Sequence, residues 1–140
     1  MKALLLLGLL TSYAVVAEQQ SDSFSASLNF AQVQYVEAKQ SSNDSWCFNT
    51  RVRHQDEGWD HYADVWQVHD INGNLLAERV LLHPHDNEQP FTRSLCGIYI
   101  PDNMRQVVVS AQCKQHGVGG HVVVVDLAGG KGSDFSVEQK

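Results

Sequence analysis

Methionine is nearly missing from this chain, with two residues in 140, one of them the initiator. That scarcity argues against a thioether-rich carrier of Cu(I). Basic residues are also few: ten Lys and Arg stand against 16 Asp and Glu, a formal charge of −6. Binding to nucleic acid or to an anionic membrane needs a net basic face that releases counterions, and this balance does not supply one. Beyond residue 17 no apolar run is long enough to span a bilayer. No G-x-S-x-G nucleophile motif occurs either. With 43% apolar and 19% charged residues the composition is that of a globule, and 140 residues allow one domain with a real core rather than two.

The first segment reads as an address. Met1-Lys2 is a short basic start, Ala3 to Val16 is largely apolar, and Val15-Val16-Ala17 fits a small-residue cleavage site. The expectation is a signal peptide over 1–17, cut after Ala17, and a periplasmic destination with no membrane insertion. A polar lead over 18–29, a β-sandwich domain over 30–128 and a Gly-rich flexible tail over 129–140 complete the expected organisation.

The domain shows short β-like runs and no convincing helix. Strands are expected at Phe30 to Ala38, Trp46 to His54, His61 to His69, Leu75 to Leu82, Phe91 to Ile100, Arg105 to Cys113 and His121 to Leu127. Asn72-Gly73 is the strongest hairpin signal between them. In the second run Trp46, Phe48, Thr50 and Val52 alternate with Cys47, Asn49, Arg51 and Arg53, which is one buried face and one wet face. The fold class is therefore all-β, a seven-stranded antiparallel β-sandwich of immunoglobulin or cupredoxin-like type.

Histidine is the outlier, with seven residues. Successive antiparallel strands alternate direction, so the second, fourth and sixth connections share one end of the sandwich. His54, His61, His83, His85, His116 and His121 fall on those connections, and His69 alone belongs to the other end. Imidazole is the usual protein ligand for Cu(II), Zn(II) and Ni(II). The candidate metal ligands are thus His54, His61, His83, His85, Cys113, His116 and His121. His83-Pro84-His85 sets two imidazoles about a rigid φ, which would make them diverge unless the loop curls. Asp56, Glu57, Asp60, Asp86 and Glu88 share these loops and could orient imidazole N–H groups. Histidine binds metal in its neutral form, so affinity should fall as pH drops through about 6.5.

Cys113-Lys114-Gln115-His116-Gly117-Val118-Gly119-Gly120-His121 reads C-x2-H-x4-H and resembles the copper loop of cupredoxins, with His121 where that family has Met. Trp59-Asp60-His61-Tyr62 is loosely similar to the loop that carries their other histidine. A second resemblance spans roughly residues 46 to 127. Gly58-Trp59-Asp60-His61-Tyr62-Ala63-Asp64, and His83-Pro84-His85 with Glu88-Gln89-Pro90-Phe91-Thr92-Arg93-Ser94, look like a group of small exported bacterial proteins. That resemblance implies no activity.

Three cysteines allow one disulfide from three pairings and leave one thiol. Cys113 is either paired, making the site all-histidine, or a ligand. The resulting expectation is a periplasmic protein that sequesters or transfers a metal ion, copper first and zinc as the alternative, with a periplasmic protein as further partner. A metal-free protein-binding or assembly module is the alternative reading. Catalysis is the weaker expectation: Asp60 and His61, with Ser94 or a metal-activated water, would have to meet although neighbouring strand residues face opposite ways.

Overall fold

A computed structural model describes residues 24–140, so the expected signal peptide and the first part of the polar lead lie outside the described residues. The described chain is all-β. Its strands are β1 (Gln32–Gln40), β2 (Trp46–Arg53), β3 (Ala63–Asp70), β4 (Leu75–Val80), β5 (Phe91–Ile98), β6 (Gln106–Cys113), β7 (Gly117–Val118), β8 (Val123–Asp126) and β9 (Phe135–Glu138). No helix among the described residues is long and apolar enough to cross a membrane.

The strands form two sheets, one ordered β5-β2-β1-β9 and the other β4-β3-β6-β7, with β8 also paired to β6. Both contribute to one hydrophobic cluster, which makes the arrangement β-sandwich-like. Period-2 patterning explains why. In β2, Trp46, Phe48, Thr50 and Val52 are all buried, while Arg51 and Arg53 on the opposite face are exposed. On β6 and β8, Val107 faces Val125 and Val109 faces Val123 in the ladder, and all four are 0% exposed. Trp66 of β3 and Phe91 of β5 fill the space between the sheets. Each such side chain contributes roughly 1.5–3 kcal/mol of burial.

Two expectations are corrected. The described residues hold nine strands rather than seven, because a two-residue β7 precedes β8 and because the segment expected to be a tail carries β9. Nor is pairing antiparallel throughout: β9 runs parallel to β1, with Val36 opposite Phe135 and Ala38 opposite Val137. Phe135 and Val137 pack on the core, and Lys39 pairs with Glu138 at 2.9 Å, which holds this short strand in place.

The strand directions bring the β2–β3, β4–β5 and β6–β8 connections, together with the start of β1, to one end. Asn72-Gly73 makes the β3–β4 turn at the other end, where Gly73 adopts φ +87° and donates its N–H to the Asp70 carbonyl. Cys47 and Cys96 form the disulfide, leaving Cys113 as a buried thiol. The pairing follows from register. Trp46 faces Ile98 and Phe48 faces Leu95, so Cys47 lies opposite the extra residue of a β-bulge at Cys96-Gly97, where Gly97 takes φ +74°.

Candidate metal centre

His54 follows the last residue of β2 and is 1% exposed. The chain then turns at Gly58, whose φ of +77° is open to glycine, and the turn closes with the Glu57 N–H donating to the His61 carbonyl at 2.8 Å. His61 is thereby folded back beside His54, with ring centroids 4.8 Å apart and planes at 89°. Cys113 ends β6 on the same inner side. One donor atom from each of His54, His61 and Cys113 lies within 4.8 Å of the others, and all three residues are buried. His116, three residues on, returns to this group: its Nδ1 is 3.4 Å from Cys113 Sγ, and its ring centroid is 5.0 Å from that of His61. Unlike the buried three, His116 is exposed.

The imidazoles are oriented by carboxylates. His54 Nδ1 donates to Asp56 Oδ1 at 2.6 Å, and His61 Nδ1 faces Glu57 Oε2 at 3.3 Å. The Asp56 side chain is fully buried and accepts two further bonds, from the Ala63 N–H at 3.0 Å and the His85 N–H at 2.6 Å. Burial pushes the Asp56 carboxyl upward, but the bonds from His54, His85 and Ala63 outweigh it and hold the group below the usual carboxylate range. A partnered Nδ1–H fixes the tautomer of a neutral imidazole and turns its Nε2 lone pair toward whatever lies on the other side.

What lies there is the backbone carbonyl of Asn29. His54 Nε2 is 3.2 Å from its oxygen, His61 Nε2 3.4 Å, Cys113 Sγ 3.3 Å and His116 Nδ1 3.1 Å. Four side chains of types that can ligate a metal thus converge on one oxygen. The loop before β1 is built to present it. The Gln32 side-chain amide donates to the carbonyls of Ser25, Ser27 and Phe30, and the Ser25 N–H donates to the Gly119 carbonyl. Close packing with the loop after β7 fixes the position: a Cβ on Gly119 would overlap the Phe30 ring, and one on Gly120 would overlap the Ala31 carbonyl oxygen.

The other expected ligands lie elsewhere. His121 gives its backbone N–H to Gln32 Oε1, and its Nε2 contacts Asp134 Oδ2 at 3.2 Å. His83 and His85 form a separate ring pair in the β4–β5 loop, linked to the centre through Asp56 and through Gln89, which accepts the His54 N–H and donates to the His85 carbonyl. Of the expected orienting carboxylates, Asp56 and Glu57 hold imidazoles. Asp86 accepts the Gly58 N–H, and Glu88 pairs with Arg93 at 3.0 Å. Asp60 offers its carbonyl to the Gln115 amide, and Ser94 donates to Asn49 on the adjacent strand. Asn29 is the member of this cluster that sequence reasoning missed, since a backbone carbonyl has no residue signature.

Comparison with known proteins adds one relationship. No family model matches the chain, and no solved structure matches it. A stretch of 83 residues, 59% of the chain, is 43% identical to a protein of Halomicrobium mukohataei named "Putative lipoprotein". The chain spans 40% of the length of that relative.

Proposed function

We propose that this protein binds one transition-metal ion at the end of its β-sandwich, with His54, His61 and Cys113 as the inner ligands and His116 as the solvent-side ligand. The observation that carries the reading is geometric. His54 Nε2 at 3.2 Å, His61 Nε2 at 3.4 Å and the Cys113 thiol, which donates its S–H at 3.3 Å, all meet the Asn29 carbonyl oxygen, while the Nδ1 atoms of His54 and His61 face the Asp56 and Glu57 carboxylates. Two imidazoles and a sulfur gathered this closely in a buried site make a donor set for a cation. A metal ion would replace the thiol proton.

The ion we assign is copper. Two imidazoles, one thiolate and a weak axial oxygen make a donor set that suits copper, and a backbone carbonyl serves as such an axial group. The cupredoxin-like C-x2-H loop at Cys113 and His116 supports the same choice, as does its position after β6. A third imidazole with the thiolate also suits zinc, so the experiment compares the two. Export to the periplasm is the setting we infer, supported by the lipoprotein name of the Halomicrobium relative and by a disulfide, which persists in oxidising compartments. There the protein would sequester copper or hand it to a partner, with the exposed His116 as the ligand nearest the recipient.

The test is to titrate the metal-free protein, prepared without a His-tag, with Cu(II) and Zn(II). Copper should bind with a sulfur-to-copper absorption band that Cys113→Ser removes and His61→Gln weakens, while His69→Ala leaves both band and affinity intact. Equal losses from His69→Ala and His61→Gln, or binding that ignores Cys113→Ser, would refute the site. Zinc bound far more tightly than copper would refute the choice of ion.

A further inference from the structure

The β4–β5 loop holds a second pair of imidazoles, which the centre above does not use. His85 is 4% exposed and packs flat against Phe91, with ring centroids 3.9 Å apart and planes at 10°. Both of its ring nitrogens are buried without a hydrogen-bond partner. Asp56 Oδ2 is 3.8 Å from His85 Nδ1, too far to satisfy it, and that oxygen already accepts the His85 backbone N–H at 2.6 Å. A buried polar ring left unpaired carries an uncompensated desolvation cost, so an orphan of this kind calls for an explanation.

The neighbouring histidine supplies one. The loop curls instead of extending, so the rings of His83 and His85 face each other with centroids 4.5 Å apart and planes at 39°. His83 Nδ1 lies 2.9 Å from the Pro84 carbonyl oxygen. A neutral His83 therefore donates its Nδ1–H there and leaves the Nε2 lone pair unused. His83 and His85 are among the residues lining a pocket of about 250 Å³ formed by the loop from His83 to Glu88.

We propose that His83 and His85 form a second metal site, open to solvent on the His83 side, for an imidazole-preferring divalent ion of the zinc, nickel and copper class. Asp56, whose Oδ2 is 3.8 Å from His85 Nδ1, is the carboxylate placed to offset its charge. Hard cations such as Ca2+ and Mg2+ do not fit, because they require oxygen cages. With two imidazoles and water completing the coordination, this site binds more weakly and exchanges faster than one with three or four protein ligands.

Zn(II), which is redox-silent, is the probe. The metal-free full chain is titrated by calorimetry while the histidine side-chain nitrogens are followed by NMR. Two binding events are expected, the weaker one shifting the His83 and His85 nitrogens. His83→Ala, at an exposed position, should abolish the weaker event and keep the tighter one. The double variant His61→Gln with Cys113→Ser should do the reverse. His85→Gln, which tests the buried partner, should match His83→Ala. A single event that His83→Ala leaves unchanged, or a second event whose NMR shifts fall on other histidines, would overturn the site. If only the His83-dependent event appears, the second site stands and the reading of the first fails.

Discussion

His54 gives its Nδ1 proton to Asp56 across 2.6 Å, and Asp56 in turn is held by the backbone N–H groups of Ala63 and His85. The carboxylate thus fixes an imidazole on one side and two separate chain segments on the other. Asp56→Asn would keep every metal ligand and lose the anionic acceptor. Copper affinity at the centre should fall about 10- to 100-fold, measured by competition with a chelator of known affinity. Glu57→Gln should cost less, since Glu57 is 55% exposed at its side chain and its contact with His61 is longer. Equal losses from the two would deny the buried carboxylate its special part.

Gly120 meets the start of β1 so closely that any Cβ would strike the Ala31 carbonyl. Gly120→Ala must push that strand, and with it the Asn29 carbonyl, away from the loop. A destabilisation of about 1–3 kcal/mol is expected from such overpacking, read by chemical denaturation, together with weaker metal binding. Gly130→Ala meets nothing within 4 Å and pays only for its φ of +67°. Its metal affinity should therefore remain unchanged.

Asp64 sits in β3 with one carboxylate oxygen buried and unpartnered, and burial holds its proton affinity above the usual carboxylate value. The folded state therefore binds a proton there more tightly than the unfolded state. Stability associated with this group rises as pH falls through the folded value and levels off below the unfolded one. Asp64→Asn should raise the melting temperature by about 2–4 °C at pH 7, and the gain should shrink in acid. A gain that stays constant down to pH 3 would show that charge burial is not its cause.

The Cys47–Cys96 disulfide closes a sequence separation of 49 residues. Replacing both with serine should cost about 2–4 kcal/mol while leaving metal stoichiometry at the centre unchanged below the melting temperature. Loss of the centre in the folded double variant would mean that the two ends of the sandwich are coupled.

Much of this was legible in the sequence because the signal was periodic. The alternation from Trp46 to Arg53 predicted both the strand and its buried face, and the parity of strand directions placed His54, His61 and His116 at one end. The C-x2-H spacing identified Cys113 and His116 together. Other features had no local signal. β9 is four residues long, half-buried and held by a parallel partner about 100 residues earlier in the chain, so its polar sequence reads as a tail. Which histidines meet depended on a turn at Gly58 and on the curl at Pro84, neither of which patterning resolves. The Cys47–Cys96 choice rested on a bulge that only the ladder register reveals.

That register has a consequence for oxidation. An oxidising compartment offers three cysteines three ways to pair, and two of them would consume the sulfur of the candidate metal centre. By setting Cys47 against Cys96 across adjacent strands, the β2–β5 ladder makes strand pairing the proofreader of oxidation. The thiol of Cys113, buried at the opposite end, is thereby kept out of the bond.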